Sequence, residues 1–296
     1  MKPIGNYLSG IHEDLLRDVS DPNVLCGLSA LDYRNGAVPS YSSVERQRLY
    51  LLKYAYGYVF EYGMVYKTAM ERLDAGNKLD VVSVGCGALL DYAGLKRTLG
   101  NDKRKVNYLG IDPVDWSYKI EKAPGDDLDL RIGKKASECF EDFSILSADI
   151  YMFPKSLSEL SAREIAAISI AFRNKPIIKD KFCLCATIRT TEKYRVEDLK
   201  KLDLISKAII DSGYKSSDNP NEYLICREKG RISLYDSSYY YPDNIRQSIS
   251  SLGSRCNNSS HCGNAGRCMD TLCRNPILTT KEVCYKVITF EADLPF

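Results

Sequence analysis

The chain has 296 residues, 44% of them hydrophobic, and a formal net charge of +2. That is apolar material enough for one large α/β domain with an insertion, and near-neutrality removes any global electrostatic argument for nucleic acid. No apolar run is long enough to span a bilayer, and the opening MKPIGNYLSGIHEDLL lacks the apolar centre of a secretion signal, so an intracellular, cytoplasmic protein is expected.

Residues 1–43 read as an N-terminal extension with a short helix from Ile11 to Val19, followed by turn formers such as Asp21-Pro22 and Asn35-Gly36. Ser42 or Ser43 then caps a helix from Val44 to about Leu73, with Glu45 in its first turn. Apolar and aromatic residues fall on most of its faces, which predicts burial. Gly57 and Gly63 are expected to kink or split it. Its tyrosines serve as core packing, or some of them wall a ligand pocket.

The stretch LDVVSVGCGALL, Leu79 to Leu90, reads as a buried strand (Val81 to Val84), a tight glycine turn and the start of a helix. A Cβ at the glycines would obstruct both the turn and the approach of a ligand. The open N–H groups of the following helix, from about Tyr92 to Leu99, form a polar cradle at the carboxyl end of the strand. A second strand, Val106 to Ile111, ends in Asp112, placed to accept hydrogen bonds from ribose hydroxyls.

Further strands are predicted at Leu128 to Ile132, Ala148 to Phe153, Phe182 to Ile188, Tyr223 to Cys226 and Val283 to Phe290. Helices are predicted at Lys134 to Phe143, Ser158 to Phe172 and Val196 to Ser212. The alternation implies a mainly parallel sheet covered on both faces. Residues 228–282 exceed a usual loop and read as an insertion before the last strand. The domain reading is therefore extension 1–43, core 44–227, insertion 228–282, and last core strand with the C-terminus 283–296.

This order resembles a class I S-adenosylmethionine-dependent methyltransferase over about residues 44 to 227 plus 283 to 290. The carriers are VVSVGCG (Val81 to Gly87), YLGID (Tyr108 to Asp112) and DIYMFPKS (Asp149 to Ser156). The resemblance implies a seven-stranded Rossmann-like sheet with helices on both faces. It also implies S-adenosylmethionine as cofactor, with Gly85 and Gly87 beside its methionine portion and Asp112 on its ribose. Asp115 and Trp116 become candidates to flank the adenine, Trp116 by stacking or, alternatively, by capping the sheet edge. A third glycine common in the family is Leu89 here. A nicotinamide or flavin dinucleotide fits less well, because the G-x-G-x-x-G pattern has Leu90 at its third glycine.

Methyl transfer from a sulfonium is an in-line displacement that needs alignment and water exclusion more than a catalytic triad. At the end of the fourth strand, Phe153-Pro154-Lys155-Ser156 lacks the Asp or Asn with Pro-Pro of amino-methylating members. Lys155 and Ser156 are the catalytic candidates, binding a phosphate or polarising the acceptor. The alternative is that Ser156 or Ser158 caps the next helix while Lys155 points to solvent. Cys183 and Cys185 are expected on opposite faces of the fifth strand, chiefly as core.

Of the 11 cysteines, Cys256, Cys262, Cys268 and Cys273 cluster beside His261. In an intracellular chain such a cluster suggests structural zinc, although no C-x-x-C pair is present, and disulfides or free thiols are the alternatives. The insertion also holds Arg231, Arg246, Arg255, Arg267 and Arg274 with Tyr235 and Tyr239 to Tyr241. Arginine with tyrosine suits single-stranded RNA, the favoured acceptor, and equally a protein surface. Two functions follow: methyl transfer to an acceptor such as RNA, or a non-catalytic methyltransferase-fold protein that binds a macromolecule through the insertion.

Overall fold

The computed structural model describes residues 4–18, 41–73, 76–174, 179–218, 223–226, 232–233, 241–254, 279–280 and 283–293. The apolar runs pair into one mixed sheet. Strands β1 (Lys78–Val84), β2 (Lys105–Asp112), β3 (Asp127–Ile132), β4 (Ile150–Phe153) and β5 (Lys181–Thr187) run parallel to one another. The later strands are β6 (Tyr214–Lys215), β7 (Leu224–Cys226), β8 (Ile232–Ser233), β9 (Thr279–Thr280) and β10 (Val283–Ala292). The order is β3-β2-β1-β4-β5-β10-β6, with β10 antiparallel to β5. The seven-stranded α/β sheet expected from the sequence is therefore present.

The expected sixth strand, Tyr223 to Cys226, is only half of that edge. Lys215 pairs with Glu291 near one end of β10, and Cys226 pairs with Val283 at the other. β6 is too short and polar at Lys215 to announce itself by alternation, so the sequence yields only the apolar half. β8 and β9 form a separate antiparallel pair.

Helices α1 (Ile4–Asp18), α2 (Val44–Arg72) and α3 (Leu90–Leu99) cover one face of the sheet. The other face carries α4 (Ala136–Cys139), α5 (Ala162–Asn174) and α6 (Glu192–Asp211). Along β1, Val81 joins the first core while Val82 and Val84 join the second, as a two-residue period requires. The same period corrects the placement of Cys183 and Cys185. They are two residues apart on β5, share one face, and lie buried together in the first core.

Ser43 caps α2, its hydroxyl accepting from the Arg46 N–H at 3.2 Å. Gly57 and Gly63 neither split nor interrupt this helix, which is continuous over 29 residues. Gly63 instead lets α3 approach. A Cβ on Gly94 would meet Gly63 N and Val59 O at 2.8 Å, and Thr98 Oγ1 donates to Gly63 O at 2.9 Å. Other bounds shift, α6 starting at Glu192 rather than Val196. α1 starts at Ile4 rather than Ile11, because Ile4 and Leu8 extend the buried stripe of Ile11 and Leu15. The helix predicted over Lys134 to Phe143 shrinks to α4 plus a 3-10 turn at Phe143–Ser147. α5 begins at Ala162, not Ser158, because Ser161 and Glu164 close a reciprocal cap there.

Within residues 228–282, read from the sequence as an insertion, the described segment 241–254 packs on the core. Tyr241 precedes α7 (Asp243–Ser254), is fully buried, and donates to Leu52 O on α2 at 2.9 Å. It is thus a core residue and not a ring offered to a nucleic acid. Cys256, His261, Cys262, Cys268 and Cys273, with Arg231, Arg255, Arg267, Arg274, Tyr235, Tyr239 and Tyr240, lie outside the described residues.

Candidate functional site

The strand order places β1 between β2 and β4, so the crossovers leave β1 in opposite directions. A crevice opens at the carboxyl ends of strands at such a switch point. Here the turn after β1, Gly85-Cys86-Gly87, meets the turn after β4, Pro154-Lys155-Ser156. Between them lies a cleft of about 850 Å³, open mouth included, which Asp112, Trp116, Tyr41, Tyr50 and Tyr62 also line.

The glycine turn is held from both sides. Gly85 N and Cys86 N donate to Ile111 O at 2.7 and 3.2 Å. Gly85 and Gly87 have φ of 81° and 53°, the left-handed region where a side chain is strained. A Cβ on Gly85 would also overlap the Ser156 side chain. Leu89 has φ 65° as well. The backbone conformation that a third glycine would adopt is therefore kept by a leucine whose side chain is fully sunk in the core.

Asp112 closes the other wall. Its Oδ2 accepts from Gly87 N at 2.7 Å and its Oδ1 from Val114 N at 2.8 Å. Each oxygen keeps a second lone pair for a ligand hydroxyl. Burial raises the pKa of this carboxyl above the usual range, opposed by the two backbone N–H groups. Trp116 covers Gly87 and packs on Tyr41 and Tyr50, with ring centroids 5.0 and 5.4 Å away. Among the described residues its buried indole N–H has no hydrogen-bond partner of normal geometry, and it lies near enough to Asp112 to favour the charged carboxylate. An orphan donor, two glycines that leave backbone open and a carboxylate with spare lone pairs fit the polar edge of an adenosyl group. Asp115 has no part in this wall: its side chain points to solvent and pairs with Lys119 at 2.6 Å.

The loop carrying Trp116 is fixed by α2 and α1. Gln47 mimics a backbone strand, donating to Asp115 O at 3.2 Å and accepting from Ser117 N at 2.8 Å. Tyr118 donates to Asp14 of α1 at 2.8 Å and accepts from Arg48, which also pairs with Asp18. Behind the turn, buried Asp91 accepts from the hydroxyls of Tyr66 and Tyr108 at 2.9 and 2.7 Å.

Of the two catalytic candidates, Ser156 is buried and donates to Val84 O, locking the two turns together. Lys155 lines the cleft in a left-handed conformation, φ 58°, its N–H bound to Thr187 Oγ1 at 2.7 Å. Its ammonium neither points freely to solvent nor stands unpaired: it binds Glu61 Oε1 at 2.6 Å. Ser161, not Ser156 or Ser158, caps α5. The cleft thiol, Cys86, is held well above its ordinary pKa by burial, with Asp112 and Asp91 adding to the rise, which disfavours the reactive thiolate.

Sequence reasoning missed Glu61, Glu159 and the arrangement of the tyrosines. Tyr50, Tyr54, Tyr58 and Tyr62 recur every fourth residue and form a continuous ring contact along α2, with centroid spacings of 5.1, 5.3 and 5.8 Å. That spacing was a readable signal. Tyr50 and Tyr62 wall the cleft, whereas Tyr56 and Tyr66 are core. Glu159 is exposed by area yet ringed by the cleft walls. Crowding raises its carboxyl pKa, with nearby Asp112 adding to the rise, and solvent reaching it through the cleft limits the extent.

No protein-family model and no curated protein matches the chain. Solved structures do. The plantazolicin methyltransferase BpumL, in complex with SAH and a monoazolic desmethylPZN analog, is 10% identical; the match covers 98% of this chain and 99% of that one, with a TM-score of 0.42. A cyclopropane-fatty-acyl-phospholipid synthase-like protein from Lactobacillus casei is 12% identical over 79% of this chain and 92% of that one, TM-score 0.40. The complex between the Haloferax volcanii Trm112 methyltransferase activator and a methyltransferase matches at 13% identity, 78% and 90% coverage, TM-score 0.38. The strand order and the reversed β10 give the expected sheet. This is the α/β sheet order that the resemblance to class I methyltransferases implied. Among the described residues, no helix of this fold is long and apolar enough to cross a membrane, and no group of His, Cys, Asp or Glu is arranged to hold a metal ion.

Proposed function

We propose that this protein binds S-adenosylmethionine in the cleft between the turns after β1 and β4 and transfers its methyl group to an acceptor. The observation that carries this reading is the convergence of the Gly85-Cys86-Gly87 turn, Asp112 and the orphan Trp116 N–H at the switch point of the sheet. The bound cofactor supplies a methyl group on a positively charged sulfur. Asp112 takes the ribose hydroxyls, Gly85 and Gly87 give the methionine portion access to backbone, and Tyr41, Tyr50 and Trp116 supply an apolar wall that excludes water. Asp115 serves only the loop that carries Trp116, its carbonyl accepting from Gln47. Ser156 sets the spacing of the two turns, and Lys155 borders the acceptor side.

RNA as acceptor rests on the arginines and tyrosines of residues 228–282 and draws no support from the cleft. Among the described residues lining it, Lys155 is the one base against Asp112, Glu159 and Glu164, a poor track for phosphates. A zinc site at Cys256, Cys262, Cys268 and Cys273 is a separate proposal about the insertion.

Calorimetric titration with S-adenosylhomocysteine tests the main reading. Binding is expected, weakened about 10- to 100-fold by Asp112→Ala, the worth of hydrogen bonds to a charged group. No heat with the intact chain removes the enzyme reading and leaves a binding protein of methyltransferase fold.

A further inference from the structure

Behind Lys155, which lines the cleft together with Tyr62, a buried carboxylate and an aromatic ring surround its ammonium. Glu61 is 8% exposed and sits on α2 beside Tyr62, which lines the cleft. The Lys155 ammonium lies 2.6 Å from Glu61 Oε1 and 5.5 Å from the centroid of the Tyr58 ring. Tyr58 in turn packs on Tyr62 at 5.8 Å. A carboxylate in poor contact with water, flanked by electron-rich ring faces, is a site for a positive nitrogen. The lysine that occupies it comes from a left-handed backbone position, φ 58°, a conformation disfavoured for a residue with a side chain.

We infer that Glu61, with the rings of Tyr58 and Tyr62, is a recognition site for a cationic nitrogen of the acceptor, an ammonium or guanidinium group, and that Lys155 is its internal substitute. The inference rests on the methyltransferase reading for the word acceptor, and the chemistry of the site stands on its own geometry. An arriving cation replaces Lys155 on Glu61, and the released ammonium reaches solvent through the cleft mouth that the Lys155 side chain, 23% exposed, already adjoins. The surrounding charge favours the exchange: Asp112, Glu159 and Glu164 line the cleft that Lys155 and Tyr62 border. An anionic acceptor would instead leave Glu61 facing a like charge, and a neutral one would gain nothing from it. Glu61 is a specificity residue in this account. The methylated atom need not be the cationic one.

The test uses the full chain saturated with S-adenosylhomocysteine and two probes of equal shape, benzylamine and benzyl alcohol, followed by calorimetry. Benzylamine is expected to bind about tenfold more tightly than benzyl alcohol, in line with a partly desolvated cation on a carboxylate and a ring. Glu61→Gln abolishes the difference. Lys155→Met tightens benzylamine binding, because the competing internal cation is gone, and a melting temperature lowered by this variant recovers on adding benzylamine. A pair with a merely structural role gives the opposite sign: both variants then weaken or leave unchanged any amine binding. Equal affinity for the two probes, or weaker benzylamine binding in Lys155→Met, overturns the inference. Failure of S-adenosylhomocysteine to bind in the first titration overturns the methyltransferase reading instead, and the two failures are read separately.

Discussion

At Asp112 three effects compete. Burial favours the neutral acid, whereas the N–H groups of Gly87 and Val114 and the nearby indole of Trp116 favour the anion. Burial wins, so the folded pKa lies above that of the unfolded chain. For such a group the stabilising contribution is present below the unfolded pKa and is lost as pH rises through the folded value. The ionised carboxylate therefore costs the empty protein some stability at neutral pH. In the proposed function ribose hydroxyls would donate to the anion, so binding would draw on that unfavourable state. Affinity for S-adenosylhomocysteine is expected to fall as pH drops through the raised pKa, starting above the ordinary carboxylate range, with a proton released on binding at that pH. Titrations across this window in two buffers of different ionisation heat measure it; Asp112→Asn should flatten the profile. Leu89 shows a related balance. Its left-handed backbone costs roughly 1–2 kcal/mol, but burying the leucine side chain recovers about as much or more, which explains why a glycine is dispensable there.

At the scale of elements, α2 and α3 are organised by the Gly63–Gly94 crossing. Alanine at either position is a better helix former than glycine by about 1 kcal/mol. The Gly94 Cβ would press on backbone atoms at 2.8 Å, whereas that of Gly63 would meet the Thr98 hydroxyl at 3.2 Å, which can rotate. Gly94→Ala is thus expected to destabilise by about 1–3 kcal/mol, the usual cost of overpacking, and Gly63→Ala by clearly less. Thermal or urea unfolding of both variants decides; equal effects would mean that the helices separate without resistance. Because α3 starts directly after the glycine turn, Gly94→Ala should also weaken cofactor binding. The tyrosine row on α2 was legible as a fourfold spacing, and so were the helix itself and its cap at Ser43. The start of α5 was legible as well, since Ser161 and Glu164 form a capping-box pattern, yet the earlier serines, Ser156 and Ser158, offered competing caps.

At the scale of the molecule, α1 and Tyr41 are part of the candidate site's frame. Tyr7, Asp14 and Asp18 of α1 reach Tyr118 or Arg48, and Tyr41 reaches Trp116, so a segment outside the sheet holds the loop after Asp112. The insertion also joins the core through Tyr241. Metal analysis of the purified full chain tests its cysteine cluster: about one equivalent of zinc is expected if four thiolates share one ion, and less than about half an equivalent sinks a single structural site.

The sequence by itself determined the alternation of strands and helices, the glycine turn, Asp112 and the buried nature of α2, because each is a local matter of periodicity, backbone freedom or strand-end chemistry. Tertiary structure decided what meets what. Only the packed chain puts Glu61 on Lys155, Trp116 over Gly87 and Ser156 against Val84, since these contacts join residues far apart in the chain. The broken edge made of β6 and β7 is likewise a product of pairing with β10, as neither piece is long enough to specify a strand alone.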